Sequence, residues 1–356
     1  MGKRITRSRG LTIGLDLGDK HTVGCVLSSE GEALETFRMA TTPLAVKRTM
    51  EGFEASRVVL EVGTHSPWMS RVVEAAGHEL IIANPRRVRL IAENDSKTDE
   101  VDAELLARLA RVDPELLKPI VHRGAEAQRD RILLLARDGL VRSRTQLINQ
   151  VRGFAKSLGQ RMPTSSTEAF PRRVRVRFPE DVFPGQSAML GLIDRLHEEI
   201  AAMDREAERL CQERYPETGV MRQVKGVGAL TPLAFVLTVE DPSRFVKSRS
   251  VGAYLGLRPR MRQSGEQQPQ LWITKAGDAL VRRYLVTAAQ YILGPFGPDT
   301  ELRRFGLKLA GRGGQAAKKR AVVAVARKLS VLMHRLWITG EEYEPLGYGQ
   351  PTQKAA

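Results

Sequence analysis

Between Leu11 and Pro85 the apolar residues come in short runs separated by turn signals: LTIGLDLG, HTVGCVLS, a turn at Gly31, ALETFRMAT, then RVVLEVG and HELIIANP. Runs of this length, rich in Val, Ile, Leu and Thr, predict β-strands. Two stretches of helical spacing interrupt them, PLAVKRTMEGF and the segment around Trp68 to Ala76, so the predicted order is β-β-β-α-β-α-β. The first three strands form an antiparallel meander, and the alternation that follows predicts an α/β sheet. A helix comes next over SKTDEVDAELLARLARV, with Ser96 as its N-cap and acids in its first turns, where the helix dipole favours negative charge.

From residue 125 to 215 the pattern becomes wholly helical. Leu133, Leu140, Leu147 and Phe154 recur every seven residues, with Val151 and Leu158 at the complementary spacing. Met189, Ile193, Leu196, Ile200, Met203, Ala207 and Leu210 alternate steps of four and three, the pattern of a coiled-coil seam. An intramolecular helical hairpin and an oligomer satisfy it equally. Between the two runs lies PRRVRVRFPEDVFPG, read as a Pro-bounded basic loop. After Tyr215, VKGVGALTP places Gly226 and Gly228 ahead of an apolar helix, an arrangement able to offer backbone N–H groups to a phosphate. A helix around RFVKSRSVGAYLGL, a stretch RPRMRQSGEQQPQLWITKAG ending in a short strand, an amphipathic helix from Asp278 and the basic helix QAAKKRAVVAVARKLSVLMHRLW follow. The expected division is a disordered basic arm over 1–10, an α/β domain over 11–122, a helical coiled-coil region over 123–215, a mainly α domain over 216–345 and a tail over 346–356.

The 356 residues suit two or three domains, and 56 Lys plus Arg against 41 Asp plus Glu give a formal charge of +15. The charge is segregated: residues 1–120 hold 17 basic and 18 acidic side chains, leaving 39 and 23 for the remainder, a net of +16. A basic surface of that size attracts a phosphate backbone and releases its counterions. Cys25 and Cys211 are too few for a disulfide framework or thiolate zinc site, and the six histidines include no i, i+4 pair. No run reaches the roughly 18 apolar residues of a membrane span, and MGKRITRSRG lacks the apolar core of a secretory signal, so a cytoplasmic, nucleoid-associated protein without membrane partners is expected.

Asp16 and Glu61 each interrupt an apolar strand near its end, where an unpaired charge is expensive and a cation is the expected partner. Asp99 and Asp102 lie three apart, on one face of a helix. Four converging carboxylates can hold two hard cations for in-line phosphodiester displacement. Ser264 follows Arg258, Arg260 and Arg262, whose spacing puts three guanidinium groups on one face of an extended segment, and Lys275 follows the strand QLWIT.

These residues resemble the DEDD transposases of insertion-sequence family one-hundred-ten, relatives of the Piv-type invertases. The resemblance rests on Asp16 in IGLDLGDKHT, Glu61 in LEVGTHSPW, the segment NPRRVR, Asp99 and Asp102 in KTDEVDA, and behind them VKGVGALTP, FVKSRSVGAYLGLRPRMRQSG, ITKAGD and KKRAVVAVARKL. It implies a ribonuclease H-like (RuvC-like) α/β domain joined through a coiled coil to a C-terminal transposase domain. In that family Asp16, Glu61, Asp99 and Asp102 hold magnesium, two ions being expected, and Ser264 is the nucleophile forming a phosphoserine link to DNA, with no nucleotide cofactor. Expected partners are double-stranded donor and target DNA, an element-encoded bridge RNA and further copies of the chain, as a dimer or tetramer. Expected nucleic-acid contacts are Arg86 and Arg87 of NPRRVR, Arg258, Arg260, Arg262, Lys275, and Lys318, Lys319 and Arg320 of the basic helix. Val62-Gly63-Thr64 stands where the family commonly has Ala-Thr-Gly, and Glu266-Gln267 where it has Gly-Lys.

Two other readings are open on the residues alone. A non-catalytic nucleic-acid-binding protein accounts for the basic charge but not for acids at two strand ends. An actin-like ATPase-fold kinase accounts for IGLDLGDKHT but lacks a second Asp-Gly-Gly phosphate motif.

Overall fold

The apolar runs of the front of the chain become strands of one sheet. The computed structural model describes residues 10–85, 98–262 and 271–347. The chain divides into two units, Met1–Arg123 and Gly124–Ala356.

In the first unit β1 (Thr12–Leu17), β2 (His21–Leu27), β3 (Ala33–Ala40), β4 (Arg57–Glu61) and β5 (Glu79–Ala83) lie in the order β3-β2-β1-β4-β5. The meander β1-β2-β3 is antiparallel, and β4 and β5 add in parallel. Helices α1 (Pro43–Glu51) and α2 (Ser66–Ala75) cover one face, where Val46, Met50, Met69 and Val73 pack on Ile13, Leu15, Val58 and Leu60. Helix α3 (Asp99–Val112) covers the other. Its Leu106 and Ala110 meet Val59 and Ile81, and its Ala103 and Ala107 meet Val23, Cys25 and Leu27. The cap of α3 is Thr98, whose hydroxyl accepts from Val101 N–H at 3.3 Å; Ser96, the expected cap, lies outside the described residues. Arg57, 3% exposed, donates to Glu79 at 3.1 and 3.2 Å and to the Ala110 carbonyl at 3.2 Å, tying the end of α3 to the start of β4.

The second unit is helical: α4 (Ala125–Ser157), α5 (Phe170–Arg177), α6 (Gln186–Glu213), α7 (Thr218–Arg222), α8 (Leu230–Val239), α9 (Arg249–Tyr254), α10 (Ala279–Leu293), α11 (Glu301–Ala310) and α12 (Gly314–Thr339). One core joins Leu134, Leu210 and Cys211 to α8, α10 and α12. The long helices α4 and α6 pack against each other within the chain, and Ile193, Ile200, Ala207 and Leu210 of the expected seam are buried. The α4 heptad is shifted. Of the expected positions Val151 is buried, Leu133, Leu140 and Leu147 are half-buried, and Phe154 and Leu158 are exposed; Leu134, Ile148 and Ala155 complete the buried stripe. The reason is that α4 packs on α8 as well as α6 and buries Asp138, which pairs with Arg283 and Arg142. The PRRVRVR segment is not loop but α5: Phe170 and Val174, four apart, pack on Ile148, Leu190 and Ile193, leaving its arginines outside.

Candidate functional site

Leu15 pairs with Leu60 across parallel β1 and β4, and Asp16 and Glu61 are the next residue on each strand. Two positions earlier, Gly14 and Val59 face α3: a Cβ on Gly14 would stand 2.0 Å from the Ala103 carbonyl, and Val59 clusters with Leu106 and Ala110. Side chains alternate along a strand, so Asp16 and Glu61 face α3 as well. That helix runs against the strand direction. Ala110 sits at the start of β4 through Arg57, Ala103 is level with Gly14, and the first turn, with Asp99 and Asp102, reaches the carboxyl ends of β1 and β4.

The four expected carboxylates therefore share one edge of the sheet. Asp16, Glu61 and Asp102 are half-buried and Asp99 is exposed. Among the described residues no group of three or more His, Cys, Asp or Glu side chains stands close enough to hold a metal ion, so the edge is shared without the side chains closing into a coordination shell. In donor chemistry the set fits a hard cation, being all carboxylate oxygen.

Ser264, Arg86 and Arg87 lie outside the described residues. What is described is the base of the segment carrying Ser264. Arg260 N–H donates to the Trp272 carbonyl and Thr274 N–H to that of Arg258, both at 2.9 Å, with Pro259 opposite Ile273, so 258–260 and 272–274 form a two-stranded ribbon. Arg258, Arg260 and Arg262 are exposed along it. Trp272 and Met261, 81% and 75% exposed, add apolar surface that only an aromatic inside a polar basic stretch signals in the sequence. Tight backbone contacts fix the ribbon's root: Gly256 has φ +72° and would place a Cβ 2.0 Å from the Ala276 carbonyl, while exposed Lys275 has φ 53° and its N–H reaches the Gly256 carbonyl at 3.1 Å. Arg282 donates to the Leu255 and Ala276 carbonyls at 3.0 and 2.9 Å. Lys318, Lys319 and Arg320 are exposed near the start of α12.

Gly226, with φ +94°, and Gly228 precede α8 and open onto a cleft of about 1330 Å³ between α4, α6 and α10, where Arg137 pairs with Asp204. Among the described residues no helix is long and apolar enough to cross a membrane.

A mixed five-stranded sheet with helices on both faces fits a ribonuclease H-like fold, here with acids at its carboxyl edge. Residues 13–159 match the family model of DEDD transposases of the IS110 type, described as Transposase, and residues 219–301 match that described as Transposase IS116/IS110/IS902 family. Two transposase models thus match separate stretches of the chain in that order, and transposases as a class cut and rejoin DNA. Among similar proteins are the transposase for insertion sequence element IS1111A of Coxiella burnetii, 27% identical over 93% of this chain and 90% of its own length, and the transposase for insertion sequence element IS1328 of Yersinia enterocolitica, 27% identical over 65% and 70%. A probable family 20 transposase of Pseudomonas aeruginosa is 28% identical over 66% and 71%.

Proposed function

We propose that this protein is an insertion-sequence transposase that cleaves DNA at the acidic edge and exchanges strands through a phosphoserine formed at Ser264. The observation that carries the reading is the arrival of Asp16, Glu61 and the first turn of α3 at one sheet edge, from three separate places in the chain. Asp16, Glu61, Asp99 and Asp102 are the residues to hold magnesium, which when bound supplies Lewis-acid stabilisation of charge on the phosphodiester oxygens. Ser264 Oγ attacks the scissile phosphorus and a deoxyribose hydroxyl leaves. The ester is conserved in the phosphoserine bond, so strand exchange needs no nucleotide cofactor. The serine of one copy meets the acids of another in a dimer or tetramer. The basic ribbon, with Arg258, Arg260, Arg262 and Lys275, and the start of α12, with Lys318, Lys319 and Arg320, bind phosphates of DNA and of a bridge RNA that pairs with donor and target. Arg86 and Arg87 add contacts from the first unit.

The test is strand exchange by purified protein with magnesium, donor and target duplexes, and RNA transcribed from the noncoding DNA flanking the gene. Asp16→Ala abolishes cleavage, and Ser264→Ala abolishes the covalent protein–DNA adduct. An adduct that persists in Ser264→Ala removes the serine from the mechanism; binding without magnesium-dependent cleavage in the parent favours a non-catalytic nucleic-acid-binding protein.

A further inference from the structure

The turn after β1 and the loop after β4 emerge at the edge where Asp16 and Glu61 end their strands, and they bring together three side chains that strand pairing does not require. His65 directly precedes α2. The Trp68 indole N–H donates to His65 Nδ1 at 3.1 Å, and His65 Nε2 lies 3.4 Å from Oδ1 of Asp19. An indole nitrogen only donates, so Nδ1 is the acceptor and the neutral imidazole carries its proton on Nε2. Trp68 is itself packed against the core under α2, and the loop is pinned by Ser66, whose hydroxyl accepts from Gly63 N–H at 3.0 Å and donates to the Gly63 carbonyl at 2.9 Å. His65 is thus an oriented N–H donor facing an anion. That anion is loosely held: Asp19 is 93% exposed, and 3.4 Å exceeds the usual hydrogen-bond length.

We propose that His65 Nε2–H binds a non-bridging oxygen of the DNA phosphodiester at the acidic edge, with Asp19 standing in that oxygen's place until DNA displaces it. The proposal rests on the reading of this edge as the DNA-cutting site. The chemistry selects a neutral donor. An ammonium or guanidinium here would pair with the four carboxylates and compete with the cations they attract, whereas an imidazole N–H adds a phosphate contact and leaves the carboxylates their charge. The N-terminal N–H groups of α2, which have no side-chain cap, favour an anion at the same place.

Single-turnover cleavage by the full chain with magnesium tests it, comparing parent, Asp16→Ala, His65→Ala, His65→Gln and His65→Asn. Glutamine carries an N–H to about the reach of Nε2; asparagine falls short. Loss of one oriented donor lowers cleavage by about a hundred-fold or more in His65→Ala and His65→Asn, with His65→Gln retaining most of the rate. Nitrogen-15 NMR of His65 shows the Nε2-protonated tautomer, and Trp68→Phe shows a mixture. Parent-like cleavage by His65→Ala overturns the proposal. So does a His65→Gln variant that melts like the parent yet is as slow as His65→Ala, or an Nδ1-protonated ring. A parent that itself fails to cleave refutes the transposase reading and this contact with it; a cleaving parent matched by His65→Ala refutes only the contact.

Discussion

Gly14 and Ala103 meet backbone to backbone: a Cβ on Gly14 would stand 2.0 Å from the Ala103 carbonyl oxygen and 2.8 Å from the Ala107 nitrogen. This closeness lets α3 lie flat on β1 and sets how far its first turn, with Asp99 and Asp102, reaches along the sheet. Gly14→Ala must lift the helix, an overpacking that costs about 1–3 kcal/mol. The urea midpoint falls accordingly, and on the proposed reading of the acidic edge DNA cleavage falls further than the unfolded fraction accounts for, because the carboxylates of α3 move with it. Parent-level cleavage by a folded Gly14→Ala protein would separate the seat of α3 from activity.

The other end of α3 depends on Arg57. Arg57→Met keeps much of the volume but leaves Glu79 without its partner and the Ala110 carbonyl without its donor. Glu79 is 36% exposed and recovers water, so the loss is about 1–3 kcal/mol rather than that of a fully buried ion pair. Urea unfolding measures the total. Hydrogen exchange over residues 106–112 accelerates more than exchange in β2 if the pair acts where the structure puts it.

Histidine protonation opposes folding at mildly acidic pH. Burial, then the nearby Arg71 and Arg123, hold His122 below the ordinary histidine range. The unfolded chain therefore takes up a proton where the native chain does not. Stability is complete above the ordinary value of 6.5 and declines as pH falls through it. His122→Gln flattens this part of a melting-temperature curve for the first unit. His197, lowered by burial and by Arg144, has the same sign in the second unit, so that unit keeps its acid sensitivity. A His122→Gln curve that overlays the parent contradicts the assignment.

The strands and their acids are legible in the sequence because burial on both faces writes continuous apolar runs, and a carboxylate at the end of such a run stands out. Asp99 and Asp102 are legible for a similar reason, three apart in a well-marked helix. Which leucines of α4 go inside is not legible: the seven-residue repeat of Leu133 describes a helix with one partner, whereas α4 has two, and the pairing of Asp138 with Arg283 spans 145 positions. His65 is silent for another reason. An imidazole and an indole three residues apart at a helix start look like core, and only the direction of the indole N–H reveals which ring nitrogen is left to donate.

The ribbon arginines and Trp272 answer to different physics, and salt separates them. Arg258, Arg260 and Arg262 are exposed at alternate positions, so each can neutralise one phosphate. Replacing one with alanine lowers the slope of log affinity against log salt by about one and weakens binding evenly across DNA sequences. Trp272 carries no charge and is 81% exposed, and its ring can stack on an unpaired base. Trp272→Ala should therefore leave the salt slope unchanged while weakening binding to single-stranded or bulged DNA by about five-fold or more, with intact duplex little affected. Filter-binding or anisotropy titrations at four salt concentrations distinguish the two. A Trp272→Ala slope that falls like that of Arg260→Ala would mean that the substitution disorders the ribbon and displaces its arginines, and the stacking role would be lost.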